Sequence, residues 1–80
     1  MGVATSAMVF KGTIGSVTGA TTSALPAKDY VKGWTYRVVG SYTFGTGQNE
    51  VVCEDGDIII AINDGPTTAN GIIPSDWTVA

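Results

Sequence analysis

The residues best suited to chemistry in this chain are carboxylates. Glu50, Glu54, Asp55, Asp57 and Asp64 all fall within residues 50–64. Two chemistries draw on such a set. Paired carboxylates about 5–10 Å apart hydrolyse glycosidic bonds, and Glu50 with Glu54, or Glu54 with Asp57, suit that separation. A domain this small leaves little room for a catalytic cleft around them. Calcium is the other use, and it takes roughly six to eight oxygen ligands. The EF-hand loop needs a D-x-D-x-D-G spacing with a Glu further on. Neither Glu54-Asp55-Gly56-Asp57 nor Asn63-Asp64-Gly65 supplies it. A tight turn with Gly56 in a left-handed conformation accounts for the first string without a ligand. Glu54, Gly56 and Asp57 are therefore expected to be a structural turn, with no metal.

Nucleophilic catalysis lacks its parts. The chain has no His, which removes the commonest general base and metal ligand. The Ser-His-Asp triad cannot be built. A Ser-Lys pair is the remaining route, and nothing positions one. Cys53 is the single cysteine. A reactive thiol needs a base or a positive setting, and its neighbours Glu54 and Asp55 are acidic. It reads as a small buried core residue. No G-x-G-x-x-G or P-loop string precedes a helix, and Gly45-Thr46-Gly47 sits between strands as a turn. No catalytic residue, no cofactor and no enzymatic activity are expected.

The aromatic residues Trp34, Tyr36, Tyr42, Phe44 and Trp77 have two possible uses. Rings with an apolar body and a polar edge can stack on sugars. They can also fill a core, and this chain needs filling, since Leu25 is its one leucine. Trp34 and Trp77 are assigned to the core. Tyr42, beside a Gly-rich turn, and Phe44 are assigned to possible surface contact.

Strands must position these residues. In residues 8–14, Met8, Phe10 and Ile14 point one way while Lys11 and Thr13 point the other, as in a half-buried strand. Residues 15–23 are rich in Gly, Thr and Ser and read as a loop or weak edge strand. Residues 24–32 read as an ordered crossing loop, with Pro26 holding Leu25 extended. Residues 33–39 are the clearest strand: Trp34, Tyr36 and Val38 share one face, Thr35, Arg37 and Val39 the other. These are residues that fit a pleated surface. The strand resumes at Tyr42-Thr43-Phe44 after Gly40-Ser41. Residues 50–53 form a short strand. Residues 57–62 are apolar on both faces and belong near the centre of the sheet. Trp77 and Val79 share a face of a final strand. The expected core is Phe10, Trp34, Tyr36, Val38, Ile58, Ile60, Ile62 and Trp77. The predicted fold is all-β: a small antiparallel β-sandwich or partly open β-barrel of five to six strands.

Composition agrees with that class. The chain has 80 residues, of which 44% are hydrophobic and 14% charged. Disorder needs the opposite balance, and helix bundles need more Leu than this. Residues 1–80 read as one β domain, with residues 1–6 a flexible start. The strand pattern running to Ala80 suggests a domain cut from a longer chain. Net charge is −3. The first forty residues hold all four bases, Lys11, Lys28, Lys32 and Arg37, and a single acid. The last forty hold the other six acids. Phosphate backbones need clustered bases, so no nucleic-acid partner is expected. No apolar run is long enough to span a membrane, and no secretory signal opens the chain.

An ordered series runs through the sequence. It consists of Gly33-Trp34-Thr35-Tyr36-Arg37-Val38, then residues 42–47, then Cys53-Glu54-Asp55-Gly56-Asp57-Ile58-Ile59-Ile60-Ala61-Ile62, then Ser75-Asp76-Trp77-Thr78-Val79. It resembles a module common in bacteriophage and prophage tail-fibre and related virion structural proteins. That module carries G-[WY]-T-[YF]-R-V, then G-T-Y-x-G, then E-x-G-D-[LI]-I-I, and ends on D-W-T-V. The likeness spans residues 7–79, lead-in included. It departs at residues 44–50, a longer link than usual, and at Gly40-Ser41-Tyr42-Thr43, a loose match to Gly-Thr-Tyr. The resemblance implies a non-enzymatic element of a virion tail or fibre with no catalytic residues to transfer. It implies a homotrimer or packing against neighbouring domains of a fibre chain, with loops offered to a host-surface glycan. The rival reading is a small carbohydrate-binding module of a bacterial surface or secreted protein, located at the cell surface or outside the cell. A hydrolase fragment, built on an acidic pair, is the third.

Overall fold

A computed structural model describes residues 8–80 of the chain. The flexible start expected for residues 1–6 lies outside the described residues. The domain is all-β, with six strands: β1 (Val9–Gly15), β2 (Trp34–Val39), β3 (Ser41–Phe44), β4 (Val51–Glu54), β5 (Ile58–Ala61) and β6 (Trp77–Val79). Single 3₁₀ turns at Gly47–Asn49 and Pro74–Asp76 are its only helical elements among the described residues. Strands β1, β2, β5 and β6 form one sheet in that order; β3 and β4 form a second. The apolar run at residues 58–61 is central, between β2 and β6, as its composition predicts.

The two sheets share one long bent hairpin. Arg37 faces Ile58 in the larger sheet, and Ser41 faces Glu54 in the smaller. Four positions on one arm are matched by four on the other, so the register is the same on both sides of the corner although the ladder is irregular at the bend itself. Gly40 (φ 82°) and Gly56 (φ 92°) supply the left-handed backbone on the two arms at the bend, a conformation that only glycine adopts without a steric cost. The Val38 N–H donates to Asp57 O at 2.8 Å and the Gly56 N–H to Val38 O at 2.9 Å, bridging the arms there.

One pairing departs from the antiparallel pattern. Strand β1 runs parallel to β2. Residues 16–33 separate them, more than the dozen or so residues that a parallel crossover needs. A clasp covers part of the outer edge of β1: the Thr13 N–H donates to Thr21 Oγ1 at 2.9 Å, and the Thr21 N–H returns to Thr13 Oγ1 at 3.0 Å. Thr22 then forms a parallel bridge to Ile14, so residues 15–23 do contain a fragment of edge pairing.

The core holds Ile14, Leu25, Tyr30, Tyr36, Val38, Phe44, Cys53, Ile59, Ala61 and Trp77. Tyr36, Val38 and Trp77 lie where the sequence places them. Four of the expected core residues do not, and a fifth, Trp34, packs against the core only partly buried. Phe10 is 63% exposed. The β1–β2 register shifts between Phe10 and Gly12, and this bulge breaks the period-2 alternation. Ile14 then joins the core face while Phe10 sits beside Thr35 on the other. Ile58, Ile60 and Ile62 belong to the opposite face of β5 from the core. Tyr36 pairs with Ile59, which turns Ile59 and Ala61 inward. Ile58 and Ile60 are half-buried, and Ile62 is exposed. Trp34 is half-buried at the start of β2, with Lys11 Nζ 4.0 Å from its ring centroid.

Candidate functional site

The acidic corner is scaffold. The Glu54 N–H donates to Asp57 Oδ2 at 2.8 Å, and the Gly40 N–H donates to Asp55 Oδ1 at 2.9 Å. Both carboxylates thus satisfy backbone donors that the bend leaves without strand partners. Glu54 ends β4, Gly56 is left-handed and Asp57 closes the turn, the roles expected of them. Among the described residues, no three His, Cys, Asp or Glu side chains gather to hold a metal ion. No helix there is long and apolar enough to cross a membrane.

A second acidic group lies elsewhere. Asp76, in the 3₁₀ turn before β6, accepts the Tyr30 hydroxyl at Oδ2 and the Asn63 Nδ2 amide at Oδ1, the latter 3.1 Å away. Tyr30 is buried, with its ring centroid 4.8 Å from that of Trp77. Burial first, then the hydrogen bond and the charge of Asp76, push the Tyr30 phenol up to about 12. The sequence reading places Tyr30 in a loop and gives it no role. The available signal was a large aromatic inside a loop of a chain short of large apolar residues.

The tip of the hairpin is the place where side chains gather around open space. Strand β3 alternates, so Tyr42 and Phe44 share the core face. Their rings lie 6.0 Å apart at 24°. Phe44 is buried, contrary to the surface contact expected of it. It faces Val51 across the hairpin and packs inward with it against the core. Tyr42 is half-buried, and its hydroxyl accepts the Leu25 N–H at 2.9 Å. Burial raises its phenol, and the Leu25 bond partly opposes that.

Between this tip and residues 70–74 lies an open cleft of about 540 Å³. Tyr42, Thr43, Thr46, Asn49 and Asn70 border it, with Phe44, Ile72 and Pro74 as its apolar part. A shallower depression of about 340 Å³ lies on the other side of Asn49, bordered by Gln48, Glu50 and Ser75. Glu50 is thus held away from both Glu54 and Asp57, at the opposite end of β4. Sequence reasoning selected Tyr42 but missed Asn49 and Asn70. Each stands alone in a polar loop, and no periodicity marks the fold-back that brings them together.

Comparison with protein-family models, with curated proteins and with solved structures finds no match to this chain.

Proposed function

We propose that the domain is a non-enzymatic structural module of a bacteriophage or prophage virion appendage of the tail-fibre kind. One observation carries the reading. Three of the four blocks of the tail-fibre-like series are spent on framework, and the fourth, residues 42–47, forms the hairpin tip that borders the cleft. Trp34 to Val38 make up β2, with Tyr36 and Val38 in the core. Glu54 to Asp57 make the corner between the two sheets. Asp76 and Trp77 tie down the chain before β6. None of these three blocks borders the cleft at the hairpin tip. A module built this way keeps its scaffold and varies its loops, as display modules do. In that setting the domain packs against neighbouring domains of a fibre chain or against two further copies of itself, within the virion.

A second reading is favoured by the cleft itself: a small carbohydrate-binding module of a bacterial surface or secreted protein. Location separates the two. Particles are purified from induced cells of the source and analysed by mass spectrometry alongside the cell-envelope and secreted fractions. Peptides of this chain concentrated in intact particles support the virion module. Peptides found in the envelope or medium and absent from particles overturn it.

A further inference from the structure

The cleft at the hairpin tip has a lining that selects a class of ligand. It carries no Lys, Arg, Asp or Glu. A phosphate or carboxylate ligand would find no counter-charge there, and Glu50 on the far side of Asn49 would repel it. Its polar side chains are two carboxamides, Asn49 and Asn70, and the Thr46 hydroxyl, while Thr43 borders the cleft from β3 with its side chain on the other face from Tyr42 and Phe44. Among the described residues, Asn49, Asn70 and Thr46 make no side-chain hydrogen bond to the protein. Asn63 is different, committed to Asp76 at 3.1 Å. Carboxamides and hydroxyls donate and accept in pairs, which matches the alternating hydroxyls of a neutral sugar. The apolar part is equally specific. The Tyr42 ring rests beside Phe44 and is anchored from behind by the Leu25 N–H. Its phenolic oxygen is engaged and its ring is half-buried against the core, so the uncovered part of that ring, with the half-buried Ile72 and Pro74, is the apolar surface left for the C–H face of a pyranose.

The cleft is also built in advance. A Cβ at Gly45 would strike Asn49 O and come within 3.0 Å of Pro74 Cγ, so the tip and the returning chain fit closely there. The Asn49 N–H donates to Thr46 O at 3.0 Å, fixing the turn that carries Asn49. The wall that carries Asn49 is therefore set before binding, which lowers the ordering cost on that side of the cleft. The volume lies within the range of roughly 300–1,000 Å³ typical of small-ligand sites. We propose that this cleft binds a neutral monosaccharide or disaccharide unit of a glycan. The inference holds for a virion module or a cell-surface module alike, because it rests on the lining alone.

The test is a ¹H–¹⁵N spectrum of the chain titrated with glucose, galactose, N-acetylglucosamine, maltose and lactose. Each goes to about 50 mM, past the millimolar range of weak sites. At least one sugar is expected to move the amides of residues 42–49 and 70–74, and glucuronic acid to move them less. Asn70 is exposed, so Asn70→Ala keeps the fold. It should weaken that binding about tenfold, the scale of one lost polar contact, and Asn49→Ala should do the same. The proposal is overturned if no sugar moves those amides, if the shifts fall elsewhere, or if both variants bind as the parent does. Any of these results leaves the virion reading untouched, since that depends on where the chain is found.

Discussion

The Tyr30 hydroxyl donates to Asp76 Oδ2 across 46 positions of chain. It joins the long connection between β1 and β2 to the turn that launches β6. The Tyr30 and Asp76 carbonyls accept the Gly65 and Ile62 N–H groups, and together with these bonds the side-chain bond and the Tyr30–Trp77 contact close one end of the core. A hydrogen bond to a charged acceptor contributes about 1.5–3 kcal/mol. Tyr30→Phe keeps the ring and removes the bond. We expect it to destabilise the domain by about 2 kcal/mol, seen as a lower urea midpoint with an unchanged slope. Asp76→Asn retains an acceptor oxygen and should cost less. An unchanged midpoint in Tyr30→Phe would show that the bond contributes nothing.

The same bond sets an alkaline limit. Tyr30 is raised from its ordinary 10.0 to about 12, and burial raises Tyr36, Tyr42 and Cys53 in the same direction. A group whose proton is held more tightly in the folded state stabilises that state below its unfolded pKa. The benefit is lost as pH climbs through the folded value. Cys53 starts from 9.0 and the tyrosines from 10.0. Stability should therefore be level up to about pH 9 and fall between about pH 9 and 12. Absorbance in the tyrosinate band should show Tyr30 ionising last, together with loss of structure. In Tyr30→Phe the decline should be shallower. A decline of equal steepness would place its origin in another group.

Gly65 approaches the Tyr30 ring so closely that a Cβ would lie 2.6 Å from both Cδ2 and Cε2. The ring cannot retreat, being packed on Trp77 and tied to Asp76. Gly65→Ala should cost about 1–3 kcal/mol, the range for overpacking a filled core. In a Tyr30→Leu background the added methyl has room, and most of that cost should disappear. A double-mutant cycle measures the difference. Equal costs in both backgrounds would assign the effect to the Gly65 backbone instead.

The face assignments of β1 and β5 mark how much of this fold is legible in the sequence. Strand β2 alternates cleanly, so Tyr36 and Val38 are read correctly. The turns at Gly56 and residues 45–49 carry their own Gly signals. Strand β5 is apolar on both faces, and alternation within it cannot say which face is inward. Only its pairing, Tyr36 with Ile59, decides that. The bulge between Phe10 and Gly12 has no local signature beyond a glycine. Tyr30, Asn49 and Asn70 are placed by contacts with chain far away in sequence, which no window of neighbouring residues contains. The assignments have a direct consequence. Ile59→Ala should cost about 2–4 kcal/mol, as for a fully buried isoleucine. Ile60→Ala should cost less, and Phe10→Ser should change stability by no more than about 0.5 kcal/mol. A large loss in Phe10→Ser would mean that its face is covered.

Cys53 offers a readout of the whole fold. It faces Tyr42 across the hairpin, and its side chain is fully buried in the core. Burial raises its thiol, and the Asp57 charge adds to that. Alkylation needs a thiolate that the reagent can reach, and the native state offers neither condition. Iodoacetamide should therefore label the native chain at least about a thousandfold more slowly than the urea-unfolded chain, the ratio tracking the rare open population. Tyr30→Phe and Gly65→Ala should speed labelling in proportion to their loss of stability. Cys53→Ser should destabilise by about 1–3 kcal/mol, because it buries a hydroxyl where the thiol needed no partner. Rapid labelling of the native parent would instead place Cys53 in a segment that opens locally, at the joint where β3 and β4 meet the core.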